Sequence, residues 1–262
     1  MPTNKPKRTP RPLTVLRTAA LGRHLRRITL GGPGLDGFPE ESAGSYIKLL
    51  LPKPSDASTG MDEGEYFIRT YTVRHHRPEA HELDIDVVLH SHAESQPGPG
   101  AVWANNAAPG DPIAISGPGN ATFADPTADW FLFAGDLSAY PAICANIERL
   151  PQDVRGVAII ETPDPLTDLP KREHLSVQWV APVDRHKESA LVSAVRAVPW
   201  QAGRGYVWAA AEFDQMKALR RYFKKECGLG SQDLYISSYW KQGLREEDHK
   251  QVKREDAQAN PE

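Results

Sequence analysis

The stretch Tyr66-Phe67-Ile68-Arg69-Thr70-Tyr71-Thr72-Val73-Arg74 decides how the first half of the chain is read. Aromatic and β-branched residues alternate along it, which is the pattern of a strand. Successive side chains of a strand point to opposite faces, so Arg69 and Tyr71 share one face and Thr70 and Thr72 the other. A guanidinium forks onto phosphate oxygens, and a phenol ring lies against another ring. A face with both suits a ligand that is anionic at one end and flat at the other, and a flavin nucleotide has these parts. The competing reading of the same residues is a plain barrel strand with an exposed arginine.

Outward from this stretch, the neighbouring segments are also strand-like. Two short alternating runs fill residues 13–30, on either side of the Ala19-Ala20-Leu21-Gly22 turn, and residues 31–41 are a Gly/Pro-rich connection. Ser45-Tyr46-Ile47-Lys48-Leu49-Leu50-Leu51-Pro52 reads as a strand with one lysine inside an apolar run. Lys48 is either a side chain snorkelling from a barrel wall or an inward cation for an anionic ligand. Glu82-Leu83-Asp84-Ile85-Asp86-Val87-Val88-Leu89-His90 alternates cleanly, and Pro112-Ile113-Ala114-Ile115-Ser116 closes the set. Short strands parted by turns, with one short helix near Trp103, predict a small antiparallel barrel.

Near Asp129 the pattern changes. Trp130-Phe131-Leu132-Phe133-Ala134 is a continuous apolar run, as in a parallel strand buried on both faces. Further strands are read at 156–161, 175–180, 206–211 and 233–238, alternating with helices at about 138–150, 188–198 and 214–227, the last stopped by Gly228. This alternation predicts an α/β domain with a mainly parallel sheet. Residues 1–12 read as a basic tail and residues after 245 as a charged helix or tail.

Bulk properties narrow the function. The 262 residues suit two domains. A net charge of -3 argues against a general nucleic-acid or membrane-surface binder. Cys144 and Cys227 are far apart, with no metal-ligand spacing and no disulfide framework. The start lacks the apolar core of a secretory signal, and no run approaches the roughly 18 apolar residues of a membrane span. The expectation is a cytoplasmic monomer without a metal site.

Three loops can carry chemistry. Gly98-Pro99-Gly100-Ala101-Val102-Trp103-Ala104 places glycines ahead of a short helix, where backbone N–H groups can approach a pyrophosphate; it also fits a simple turn. His90 can meet a phosphate or an adenine, or be an ordinary surface residue. Ala134-Gly135-Asp136-Leu137-Ser138 ends a strand and starts a helix, with Ser138 as its expected N-cap. Ligands of open α/β sheets bind beyond such strand ends, which makes Asp136 and Ser138 candidates for nucleotide binding. Ala210-Ala211-Glu212 is the symmetrical strand end. No G-x-G-x-x-G follows a strand, so a tight dinucleotide fingerprint is absent. Finally, Tyr239-Trp240-Lys241-Gln242-Gly243 sets two aromatics and a cation at the last strand's end, either to cover a ring or to plug a domain interface.

Taken together, Tyr46-Ile47-Lys48-Leu49, Arg69-Thr70-Tyr71-Thr72, Asp84 to His90, Gly98 to Ala104, Gly110-Asp111, Gly117-Pro118, Ala134-Gly135-Asp136 with Pro141-Ala142-Ile143, and Tyr239 to Gly243 resemble the siderophore-interacting proteins. These are flavin-dependent ferric-siderophore reductases related to ferredoxin-NADP reductases. The resemblance implies an N-terminal antiparallel Greek-key β-barrel that binds FAD, over residues 13–127. A C-terminal three-layer α/β domain that binds NAD(P)H would follow over 128–245, with tails at 1–12 and 246–262. It implies that Arg69, Tyr71 and Thr72 hold the flavin ring and its phosphate side. Val88 and His90 would line the FAD site, and Gly100, Ala101, Val102 and Trp103 would supply the pyrophosphate loop. Tyr239 and Trp240 would lie near the flavin. Lys48 and Lys241 match two positions of a basic cluster that receives a ferric siderophore, hydroxamate or catecholate. Relatives often carry an arginine where Gly119-Asn120 stands here, and a glycine within the turn at Ala210-Ala211-Glu212. The implied electron donor is NAD(P)H or reduced ferredoxin, with no acid or base required for the electron step. The other readings are a general flavin or ferredoxin reductase, a non-catalytic siderophore binder, and an interaction protein driven by the basic tail.

Overall fold

Alternating apolar positions dictate the first half. Val15, Ile28, Ile47, Leu49, Val73 and Ile85 all turn inward to one core, and each is fully buried. In the computed structural model, which describes residues 9–53, 66–89, 97–183 and 189–259, these positions lie on the first five of the barrel's six strands. The six are β1 (Arg11–Ala20), β2 (Leu25–Gly31), β3 (Tyr46–Pro52), β4 (Tyr66–Arg77), β5 (Glu82–Val88) and β6 (Pro112–Gly119). The order β1-β2-β5-β4-β3-β6 closes into an antiparallel Greek-key barrel. Closure leaves no sheet edge unpaired. Between β5 and β6 runs α1 (Pro99–Asn106), whose Ala101 and Ala104 are buried.

On the barrel's outer side, charges are paired across strands. Arg77 bridges Glu82 and Asp84, Arg17 holds Glu82, and His75 and Thr29 also reach Asp84. Hydrogen bonds from Arg17 and Arg77 outweigh the effect of burial on Glu82 and pull its carboxyl down to about 2. Burial alone would raise Asp84, but the bonds from Arg77, His75 and Thr29 together hold it far below the usual carboxylate range.

The second half is a sheet of five strands in the order β11-β10-β7-β8-β9, every neighbouring pair parallel. The strands are β7 (Trp130–Asp136), β8 (Arg155–Glu161), β9 (His174–Val180), β10 (Gly205–Glu212) and β11 (Leu234–Trp240). The helices are α2 (Tyr140–Arg149), α3 (Ala190–Arg196), α4 (Phe213–Arg221) and α5 (Glu246–Ala259). Trp130, Leu132 and Ala134 pack with Leu191 of α3 and Met216 of α4 on one face. On the other face Gly135 lies so close to α2 that an added Cβ would sit 2.8 Å from Ala139 and 2.9 Å from Ile143. The result is three layers. Beyond Arg221 the helix widens at Tyr222–Glu226 and stops at Gly228, whose φ of +72° suits glycine.

Three boundaries differ from those read in the sequence. The chain divides between Ala121 and Thr122, not at 127/128. The segment joins the second unit because Trp208 Nε1 donates to Thr122 O at 2.8 Å and Arg149 lies 4.2 Å over the Phe123 ring. At the start, Arg11 and Pro12 belong to β1 rather than to a tail, and Arg11 pairs with Ile115. At the other end residues 246–259 are a docked helix. His249 is buried, with its Nε2 3.0 Å from Ser238 Oγ, Lys253 donates to Ser237 Oγ at 2.7 Å, and Asp256 pairs with Arg220. A helix held by polar side chains carries little apolar stripe to reveal its docking.

Candidate functional site

The first unit brings the β4 face and the start of α1 together. An added Cβ on Gly100 would lie 2.2 Å from Tyr71 Oη and 3.6 Å from Arg69 Cγ. Only glycine permits that approach. Arg69 and Tyr71 therefore do share a face, as the period-two pattern requires. Arg69 Nη1 donates to Ile68 O at 2.8 Å, and its Cζ lies 5.8 Å from the centre of the Phe67 ring.

The start of α1 has the features of an anion site. Pro99 occupies the first turn, and the cap residue Gly98 contributes no side-chain hydrogen bond. The first closed turn is Val102 N to Gly98 O at 3.0 Å, so the N–H groups of Gly100 and Ala101 precede the helical ladder. Ala101 is buried and Trp103 packs on the barrel core. Ala101 therefore offers only backbone to a ligand, whereas Trp103 is partly buried and Val102 is exposed. Thr72 is buried opposite Tyr46, and Val88 ends β5 opposite Leu25. His90 lies outside the described residues. A guanidinium, a phenol and backbone donors at a helix start, with space kept by a glycine, fit the phosphate and ring parts of FAD.

Lys48 stands on the barrel's outer face. Its neighbours Ile47 and Leu49 point into the core, while Lys48 pairs across strands with Thr70 and Ser116. The reading of an inward cation is corrected accordingly, because alternation leaves the interior to Ile47 and Leu49.

In the second unit the chain order reverses beside β7, between β8 and β10, and ligands of such sheets bind beyond the strand ends at that place. Asp136 ends β7 there. Its carboxylate accepts from Ser138 N at 2.8 Å, Ser138 Oγ at 2.5 Å and Trp240 Nε1 at 2.7 Å. Burial pushes its carboxyl up, partly offset by these bonds. Ser138 is not the cap of α2, which begins at Tyr140 without a side-chain cap. The hydroxyl bonds back to Asp136 two residues earlier, a local turn that competes with capping. Two more carboxylates end neighbouring strands. Glu212 caps α4 by accepting from Asp214 N, and it also accepts from Gln242 N at 3.2 Å. Glu161 accepts from Gln215 Nε2 at 2.8 Å.

Tyr239 packs edge-on against Trp208, with ring centres 6.4 Å apart, and burial pushes its phenol well above its ordinary value. Trp240 is 38% exposed, and its indole N–H is held by Asp136. Lys241 Nζ lies 3.2 Å from both Asp214 carboxylate oxygens and 4.4 Å over the Phe213 ring. Its charge is thus already paired. The Asp136–Trp240 tie and Glu161 escaped the sequence reading; an acid closing each apolar strand was the signal available. Among the described residues no three His, Cys, Asp or Glu side chains are grouped to hold a metal, and no helix is long and apolar enough to cross a membrane.

Comparison with known proteins agrees with this architecture. Residues 14–122 match the family described as siderophore-interacting FAD-binding domain, and residues 128–243 match siderophore-interacting protein. The ferric vibriobactin reductase ViuB of Vibrio cholerae is 33% identical over 252 residues, covering 91% of this chain and 92% of ViuB. The protein Rv2895c of Mycobacterium tuberculosis is 37% identical over 272 residues, covering 94% and 95% of the two chains. Among solved structures, the siderophore-interacting protein SipS of Aeromonas hydrophila is 31% identical with a TM-score of 0.81, covering 97% of this chain and all of SipS. Phthalate dioxygenase reductase, at 16% identity and a TM-score of 0.59 over 90% of this chain and 70% of its own, shares the fold. The closed barrel followed by a parallel α/β sheet, matched along both halves, means that this chain belongs to the siderophore-interacting protein family.

Proposed function

We propose that this chain is a FAD-dependent oxidoreductase that reduces siderophore-bound Fe(III) to Fe(II) in the cytoplasm, as a monomer, with NAD(P)H as electron donor. The observation that carries the reading is the convergence of Arg69, Tyr71 and the start of α1 at Gly100, inside the FAD-binding family match. When bound, FAD supplies the exchange between two-electron and one-electron transfer. The chain contributes binding and orientation. Arg69 and the loop of Gly100, Ala101, Val102 and Trp103 would hold the pyrophosphate. Tyr71 and Thr72 would hold the ring and its phosphate side, Val88 and His90 would line the FAD site, and Tyr239 and Trp240 are further proposed flavin residues. Asp136 and Ser138 are the proposed nucleotide residues at the β7 end, and Lys48 and Lys241 the proposed siderophore contacts. The substrate's chelating oxygens hold Fe(II) more weakly than Fe(III), so reduction favours release without any iron ligand from the protein.

The test is acceptor preference. With NADH or NADPH, ferric hydroxamate or catecholate complexes should be reduced with a higher kcat/KM than ferredoxin or free flavin. A preference for ferredoxin or free flavin would support the second reading, a general flavin or ferredoxin reductase. The pairing of Lys241 with Asp214, which leaves less positive charge for an anionic chelate, favours that second reading.

A further inference from the structure

At the end of α1 opposite its phosphate-facing start sits Arg26, on β2. Its Nη1 donates to Ala104 O at 2.8 Å and to Asn105 O at 2.7 Å, and its Nη2 to Ala107 O at 3.2 Å and to Thr18 Oγ1 at 2.7 Å. The three carbonyls belong to the last turn and cap of α1, where helical oxygens have no partner in the ladder. The helix carries no basic residue of its own in that turn. With eight residues, α1 is too short to persist alone, since isolated helices below about 12–15 residues are marginal. Its place is therefore set by what grips it: the buried Ala101 and Ala104 on the core side, and the Arg26 fork at the far end.

We infer that Arg26 is a positioning residue for the FAD pyrophosphate, acting through α1 without touching the cofactor. The inference rests on the reading that the start of α1 receives that pyrophosphate. Two effects act together. The fork fixes the direction in which the Gly100 and Ala101 N–H groups point. The guanidinium also offsets the negative pole of the helix, leaving the positive pole for the anion. Thr18 Oγ1 holds the fork in turn, so the guanidinium is fixed from both sides.

The experiment compares affinities of the flavin-stripped full chain for FAD and for riboflavin, which lacks the phosphates. Wild type, Arg26→Ala, Arg26→Lys and Thr18→Val are each titrated by flavin fluorescence. Arg26→Ala should weaken FAD binding by about 5- to 30-fold, the scale of a lost charged hydrogen-bond cluster, with riboflavin affinity unchanged. Arg26→Lys should fall between, because an ammonium keeps the charge but not the fork, and Thr18→Val should show a smaller loss of the same kind. Equal losses for FAD and riboflavin would make Arg26 merely structural and overturn the inference, as would no loss for either. If Arg26→Ala does not fold, the Lys and Val variants decide by the same ratio. A wild type that binds riboflavin as tightly as FAD would instead sink the underlying reading of α1, whatever Arg26 does.

Discussion

Gly100→Ala isolates the contact on which the cofactor site depends. The new methyl would meet Tyr71 Oη at 2.2 Å, whereas Tyr71 Cζ at 3.4 Å and Arg69 Cγ at 3.6 Å are ordinary contacts. Gly100 is not in the left-handed region, so the backbone accepts alanine, and the helix gains about 0.5–1 kcal/mol in propensity. Without flavin, Tyr71 can swing aside, and thermal stability should stay close to wild type or rise. With flavin bound, Tyr71 has to lie in place, and the overpacking of about 1–3 kcal/mol falls on the complex. At about 1.4 kcal/mol per tenfold, FAD affinity should drop roughly 5- to 150-fold. The assay is fluorescence titration of the stripped protein with FAD, beside a thermal melt. Tyr71→Phe removes the offending oxygen, so Gly100→Ala in that background should bind FAD within about threefold of Tyr71→Phe alone, since couplings between contacting residues are lost with one partner. An unchanged dissociation constant for Gly100→Ala in the wild-type background would refute the reasoning.

Further predictions concern each unit. Because Glu82 is depressed to about 2 and Asp84 is held lower still, their stabilisation is present above the ordinary carboxylate value of about 4 and is lost as pH falls below it. Asp84→Asn should flatten the pH dependence of melting between about pH 4 and 2, and a slope parallel to wild type would contradict this. Trp240→Phe deprives the buried Asp136 carboxylate of a donor and should cost about 1–3 kcal/mol. Calorimetry should show a melting point lower by several degrees, and no shift would remove the tie's importance. Lys48→Ala should raise the KM for a ferric chelate up to about fivefold with flavin content intact, on the scale of a surface ion pair. Lys241→Ala should do less, since Asp214 already pairs it, and Asp214→Ala should lower that KM. Steady-state kinetics check all three, and the reverse order would sink the assignment.

The parts of the fold that were legible are those set by local geometry. Alternation at Glu82–Val88 and the apolar run at Trp130–Asp136 announce an antiparallel and a parallel strand from their own residues. The shared face of Arg69 and Tyr71 follows from the same period. What stayed hidden depends on partners far along the chain. Trp240 and Asp136 are 104 positions apart, and Arg26 and Ala104 are 78 apart. Nothing local in Leu25-Arg26-Arg27 distinguishes a helix clamp from a solvated arginine. Ser138 shows a different failure, since the rule for a cap was sound but Asp136 offered the hydroxyl a nearer acceptor. Residues 246–259 read as a solvated helix or tail, and their docking was hidden because His249, Lys253 and Asp256 make it with polar groups.

The central claim is tested most directly by an anaerobic visible spectrum of the purified chain, taken as isolated, after NADH or NADPH, and after a ferric hydroxamate with a chromogenic Fe(II) chelator present. The expected result is a yellow protein that bleaches with the nucleotide and regains its colour on addition of the ferric complex, with Fe(II) trapped in step. A colourless protein that cannot be reconstituted with FAD would contradict the site built on Arg69, Tyr71 and Gly100.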